Sequence, residues 1–161
     1  MYIFLPENLN NVVIGLPKFI TEKELKEGIK KFADPEEMVD TFCKCDCSEL
    51  LDLRGLLIYM SLRDGEMPAI LAGLASFASK RCGCEYTDEE IASSAAKWAT
   101  KFELGGLGSR LMELGLSQED VVNLFERIED RMYNEKYNAV MERIRLEREV
   151  ARRLIPPGIY I

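Results

Sequence analysis

Histidine is absent from this 161-residue chain, and glutamine and tryptophan occur once each, at Gln118 and Trp98. Without histidine there is no Ser-His or Cys-His pair to activate a nucleophile. The Glu-x-x-His pairs of a ferritin-like di-iron centre are excluded for the same reason. Long apolar runs are missing too. The most apolar stretch, Met67 to Ala78, is too short to span a bilayer. Residues Met1 to Glu7 lack the basic and apolar regions of a signal peptide, so a cytoplasmic chain away from membranes is expected. Basic residues are under-represented, at 21 Lys and Arg against 28 Asp and Glu, for a net charge of −7. A general nucleic-acid binder needs the opposite balance to displace counterions from phosphates.

Cysteine is missing everywhere except in two tight clusters, Cys43-Lys44-Cys45-Asp46-Cys47 and Cys82-Gly83-Cys84. Three readings are open. The first is one or two disulfides between the clusters. A Cys47–Cys82 link, for example, would close a loop of about 35 residues and contribute roughly 3–4 kcal/mol. With five cysteines, one thiol then stays free or bridges to another chain. The second is a zinc–thiolate site drawn from Cys43, Cys45, Cys47, Cys82 and Cys84. Its C-x-C spacing strains two ligands into one tetrahedron, and the C-x2-C runs of iron–sulfur proteins are absent. The third is a reactive thiol at Cys47, near a helix start, with Lys44 and Arg81 as cationic neighbours. Bridges are preferred to metal, and metal to catalysis.

What is present describes a globular chain, 47% hydrophobic and 30% charged. The length suits one domain with its own core. Scarce glutamine, absent histidine and plentiful Glu, Lys and Arg lean towards a thermophile, whereas five Cys, seven Met and six Asn lean away. Charge is unevenly spread. Residues 1–130 carry 14 bases and 24 acids, residues 131–161 carry 7 bases and 4 acids. An acidic body with a basic last helix favours basic partners or head-to-tail self-association.

Residues 1–20 hold two β-prone runs, Tyr2–Leu5 and Val12–Leu16, suited to a hairpin or an extended arm. Residues 156–161 form an extended tail of similar character. From Thr21 to about residue 155 the punctuation is helical. Thr21-Glu22-Lys23-Glu24 and Thr87-Asp88-Glu89-Glu90 are capping boxes. Asp34-Pro35 supplies an N-cap and a first-turn proline. Asp46 with Glu49, or Ser48 alone, starts a helix to about Leu62, and Pro68 opens one to about Arg81. The latter carries no charge between Met67 and Ser79, which predicts a central helix. Gly83 is its expected C-cap. Gly105-Gly106-Leu107-Gly108 is expected to interrupt the helix begun at Asp88 as a kink or hinge. With Ser109 and Arg110 it resembles a phosphate-cradling loop only loosely, because it lacks the Lys-Ser/Thr ending and a preceding strand. Gly115-Leu116-Ser117 then joins a C-cap to an N-cap.

The final helix runs from Gln118 to about Leu154 without glycine or proline, roughly 55 Å long. Its apolar stripe begins as Val121, Phe125, Ile128 and Met132, then moves to Tyr133, Tyr137, Val140 and Ile144. Its last third projects from the body or packs on a partner, unless the helix breaks near Tyr133-Asn134. Arg143, Arg145, Arg148, Arg152 and Arg153 alternate there with Glu142, Glu147 and Glu149, as on a solvated or intersubunit salt-bridged face. Acid pairs such as Glu36/Glu37 and Glu89/Glu90 sit in first helical turns, where the macrodipole explains them.

The expectation is an all-α bundle of five to seven helices with a long C-terminal helix and short extended or β termini. No catalytic or cofactor-binding residue is assigned. The leading functional expectation is a non-enzymatic assembly or adaptor protein acting through protein contacts, including self-association. The alternatives are an acidic regulator of nucleic-acid machinery and a zinc–thiolate module.

Overall fold

The computed structural model describes residues 3–4, 12–15, 18–64 and 66–154. It is an all-α bundle with six helices among the described residues, flanked by a small sheet. The strands β1 (Ile3–Phe4), β2 (Val12–Gly15) and β3 (Lys18–Thr21) form an antiparallel sheet in the order β1-β2-β3. The register sets Ile3 opposite Ile14 and Val13 opposite Ile20. The hairpin expected from residues 1–20 is therefore extended by a third strand at Lys18–Thr21. The sheet lies against helices of the bundle, as so small a sheet must. The tail at 156–161 lies outside the described residues.

The helices are α1 (Glu22–Ile29), α2 (Pro35–Phe42), α3 (Cys47–Asp64), α4 (Glu66–Arg81), α5 (Asp88–Glu113) and α6 (Gln118–Leu154). Local chemistry sets most boundaries. Asp34 caps α2 by accepting from the Glu36 amide at 3.0 Å, with Pro35 at the first helical position. Asp46 and Glu49 cap α3 reciprocally, each amide donating to the other side chain at 3.1 and 2.8 Å. Thr87 and Glu90 form the capping box of α5. Gly83 and Gly115 adopt φ of 75° and 106°, the left-handed conformation that ends α4 and α5.

One buried cluster draws on all six helices, including Ile29, Val39, Ile58, Leu74, Ala95 and Val140. Helix α4, uncharged from Met67 to Ser79, sits at its centre, against α1, α2, α3 and β1. Ala69, Ala72, Ala75 and Ala78 are fully enclosed and let the neighbouring helices approach. Helices α3 and α5 approach closely at Gly55. A Cβ on Gly55 would meet Ser94 Oγ at 2.0 Å and the Ser94 carbonyl carbon at 2.7 Å, so only glycine fits.

One expectation is corrected and one alternative is removed. The glycine run at residues 105–108 does not interrupt α5, which continues for 26 residues. Helical glycine costs about 1 kcal/mol per residue, and packing against α6 overcomes it. Gly108 is buried where a Cβ would meet Phe125 at 3.0 Å and Val121 at 3.4 Å. Its amides are thus committed to a helix interior, and the phosphate-loop comparison fails. The final helix runs unbroken through Tyr133-Asn134 as expected, one helix of 37 residues, which removes the alternative of a break there. Tyr133 Oη lies 2.6 Å from Ser93 Oγ, which anchors the middle of α6 to α5.

Candidate functional site

The two cysteine clusters meet at one end of the bundle. Helix α2 closes at Cys43, a short turn follows, and α3 opens at Cys47. Helix α4 ends beside them, and the reversal at Gly83 carries Cys82 and Cys84 across the turn. The Cys84 amide donates to the Ser79 carbonyl at 2.9 Å, which fixes that reversal. Cys43 pairs with Cys82 and Cys47 with Cys84, at Cα separations of 5.7 and 5.4 Å. Both separations lie inside the window a disulfide spans. Cys45 is half-buried and outside both pairs.

The pairing differs from the Cys47–Cys82 link considered from the sequence. Cys43 and Cys47 flank a turn and both face the end of α4, so each takes the partner nearest its own helix. Cys47 is engaged with Cys84, so it offers no thiol for nucleophilic chemistry. Arg81, considered as its cationic neighbour, reaches Glu36 at 2.9 Å and Asp40 at 3.6 Å instead. The five cysteines form two separate pairs and a single thiol. Among the described residues no group of three or more His, Cys, Asp or Glu gathers to hold a metal ion.

Arg54 stands behind this end and was missed from the sequence. It is the largest fully buried side chain among the described residues, 1% exposed, although it is cationic. Its Nη1 donates to Ser79 Oγ at 3.2 Å, and its guanidinium lies 5.3 Å from the centre of the Tyr86 ring. Ser79 Oγ in turn donates to the Ala75 carbonyl at 2.9 Å. The Tyr86 hydroxyl donates to the Cys47 carbonyl. Burial holds that hydroxyl protonated above its ordinary range. Arg54 opposes this, while Asp46, Glu90 and Cys45 add to it. The signal was a lone cation inside Leu50–Ile58, at the spacing that buries Leu50, Leu57 and Ile58.

A different surface lies at the opposite reach of α5. Helices α3 and α5 run side by side in the same direction: Ser94 donates to the Leu51 carbonyl, Trp98 to the Asp52 carbonyl, and Tyr59 stacks on Phe102 at 5.8 Å. Helix α3 stops at Asp64, whereas α5 continues to Glu113. Among the described residues, α5 beyond about Gly106 packs on the start of α6, where Gly108 meets Val121 and Phe125. Leu107, Met112, Leu114, Leu116, Val122 and Leu124 are exposed there, Leu114 at 80%.

Beside this hairpin end lies a groove of about 600 Å³ between α3, α5 and α6. Tyr59 and Phe102 provide aromatic walls, and Ala95, Ala99 and Gly106 keep it open. At its margin Lys136 pairs with Glu103 at 2.8 Å, and Arg63 donates to the Tyr59 hydroxyl at 3.3 Å.

Comparison with known proteins yields no match to a family model, a curated protein or a solved structure. Among the described residues no helix is long and apolar enough to cross a membrane. The crowded arginines of α6 begin with an intrahelical network, in which Arg145 pairs with Glu142 and, at 2.7 Å, with Glu149. These partners hold the Arg145 pKa above its ordinary value, with the hydrogen bond to Glu142 the largest cause.

Proposed function

We propose that this chain is a non-enzymatic assembly or adaptor protein that acts through protein contacts at the end of the α5–α6 hairpin. One observation carries the reading: a cluster of exposed apolar side chains, Leu107, Met112, Leu114 and Leu116 among them, on a hairpin that outruns the rest of the bundle. Isolated exposed apolar residues are ordinary, but several gathered at the tip of one hairpin suit a surface that another protein covers. The cysteine end supports this role without taking part in it. Oxidised, the two pairs staple α2 and α3 to the end of α4 and hold the scaffold that carries the hairpin.

Light scattering after size-exclusion chromatography, followed by partner capture, tests the proposal. Leu107→Glu with Leu114→Glu should abolish complex formation while leaving the helical circular dichroism unchanged. Complexes that persist in this variant would refute the hairpin end as the contact surface. Intact mass with and without reductant tests the staple: two bridges take up four hydrogens on reduction, and a chain whose mass does not change has none.

A further inference from the structure

On the reading of the hairpin end as a contact surface, we propose that its partner is a second copy of this chain. The copies lie antiparallel, and Leu114 of each enters the groove of the other. Continuity along α5 is the first argument. Glu103 lines the groove, and Leu107, Arg110 and Leu114 follow it at spacings of four, three and four along one side of the helix. Groove and plug therefore belong to one stripe, as an isologous contact requires, in which a single patch meets itself. Gly106 and Leu114 are eight residues apart, roughly 12 Å along the helix. A two-fold axis midway, near Arg110, sets Leu114 of one copy over Gly106 of the other and repeats the contact by symmetry.

Space and charge agree with this seating. A Cβ placed on Gly105 or Gly106 would meet nothing within 4 Å, so the seat is open at that point. The groove has room for Leu114 and Leu116 together. Its margin carries Arg63 and Lys136 against Glu103, whereas the hairpin turn carries Glu113, Glu119 and Asp120. With Lys136 paired to Glu103 the margin keeps a net of one positive charge, opposite in sign to the acidic turn that enters it. At the axis the two Arg110 side chains face each other, and Glu113 of each copy lies within one helical turn of the other's Arg110 to offset them. The arrangement closes on itself, so it stops at a dimer.

Sedimentation velocity across the micromolar range tests the assignment. The wild type should reach twice its 18.4 kDa mass. Leu114→Glu removes the plug and Gly106→Trp fills the seat. Each should weaken dimerisation at least about a hundredfold, because two buried leucines are lost per dimer. Leu114 is exposed and Gly106 borders open space, so both variants should melt like the wild type. In a Cys45→Ser background, the pair Leu114→Cys and Gly106→Cys should cross-link two chains on oxidation, whereas Leu114→Cys alone should not. A monomeric wild type would overturn the second-copy assignment and leave the hairpin reading to the partner-capture measurement. A dimer that survives both substitutions would overturn both.

Discussion

Removing the paired cysteines one pair at a time should give losses of stability that do not add. Cys43–Cys82 and Cys47–Cys84 span 39 and 37 residues. In the chain-entropy account either bridge alone restrains the unfolded chain by about 4 kcal/mol. The loops overlap almost completely, however. Once Cys43 and Cys82 are joined, Cys47 and Cys84 are separated only by the segments 43–47 and 82–84. The second bridge then closes a ring of about eight residues, for about 2.5 kcal/mol. Replacing either pair by serine should therefore cost about 2.5 kcal/mol, and replacing both about 6.5. Typical domain stabilities of about 5–15 kcal/mol make the four-serine variant marginal. Urea denaturation of the three variants beside the wild type, with intact mass confirming the bridges, measures this. Two independent losses of about 4 kcal/mol would refute the overlapping-loop argument. No loss from either pair would refute the staple itself.

Other consequences can be measured on the same material. Gly55→Ala forces a methyl group against the Ser94 backbone and should cost at least about 1–3 kcal/mol in chemical denaturation; an unchanged midpoint would show that α3 and α5 do not approach so closely. Arg54→Ala strips the buried guanidinium from Ser79 and Tyr86 and should cost about 2–5 kcal/mol, with the melting temperature as the readout. Hydrogen bonds from Lys26 first, then Arg81, hold the Glu36 carboxyl below its ordinary value of 4.5. A depressed carboxyl stabilises above its unfolded pKa, and that contribution is lost as pH falls through the folded one. The acid limb of stability should thus flatten in Glu36→Gln below about pH 4.5, while the two proteins keep a constant offset near neutrality. An unchanged acid limb would remove Glu36 as its source.

Much of the helical scheme was legible because helix ends are written locally. Asp34-Pro35, Asp46 with Glu49, Thr87 with Glu90, and Gly83 and Gly115 each act within a few residues and set their boundaries without help from the rest of the chain. The meeting of the cysteine clusters was legible for a related reason: two helices joined by a short turn bring distant ends together. The third strand at Lys18–Thr21 was missed because its partner, Val12–Gly15, rather than its own short pattern, makes it a strand. The glycine run was misread because propensity argues for a break there, while Phe125 and Val121, distant in sequence, hold Gly108 in a helix.

By itself the sequence determined the class of the fold, the central place of α4 with its uncharged stretch Met67–Ser79, and the exclusion of histidine chemistry, since composition, periodicity and caps are properties of neighbouring residues. Tertiary structure alone decided which cysteine meets which, because that depends on the rotation of α4 relative to the α2–α3 turn. It also decided that Arg54 is enclosed rather than solvated, and that α5 outruns α3. The last of these leaves Leu107, Met112 and Leu114 uncovered, and no local pattern encodes it, because exposure is set by where a neighbouring helix stops.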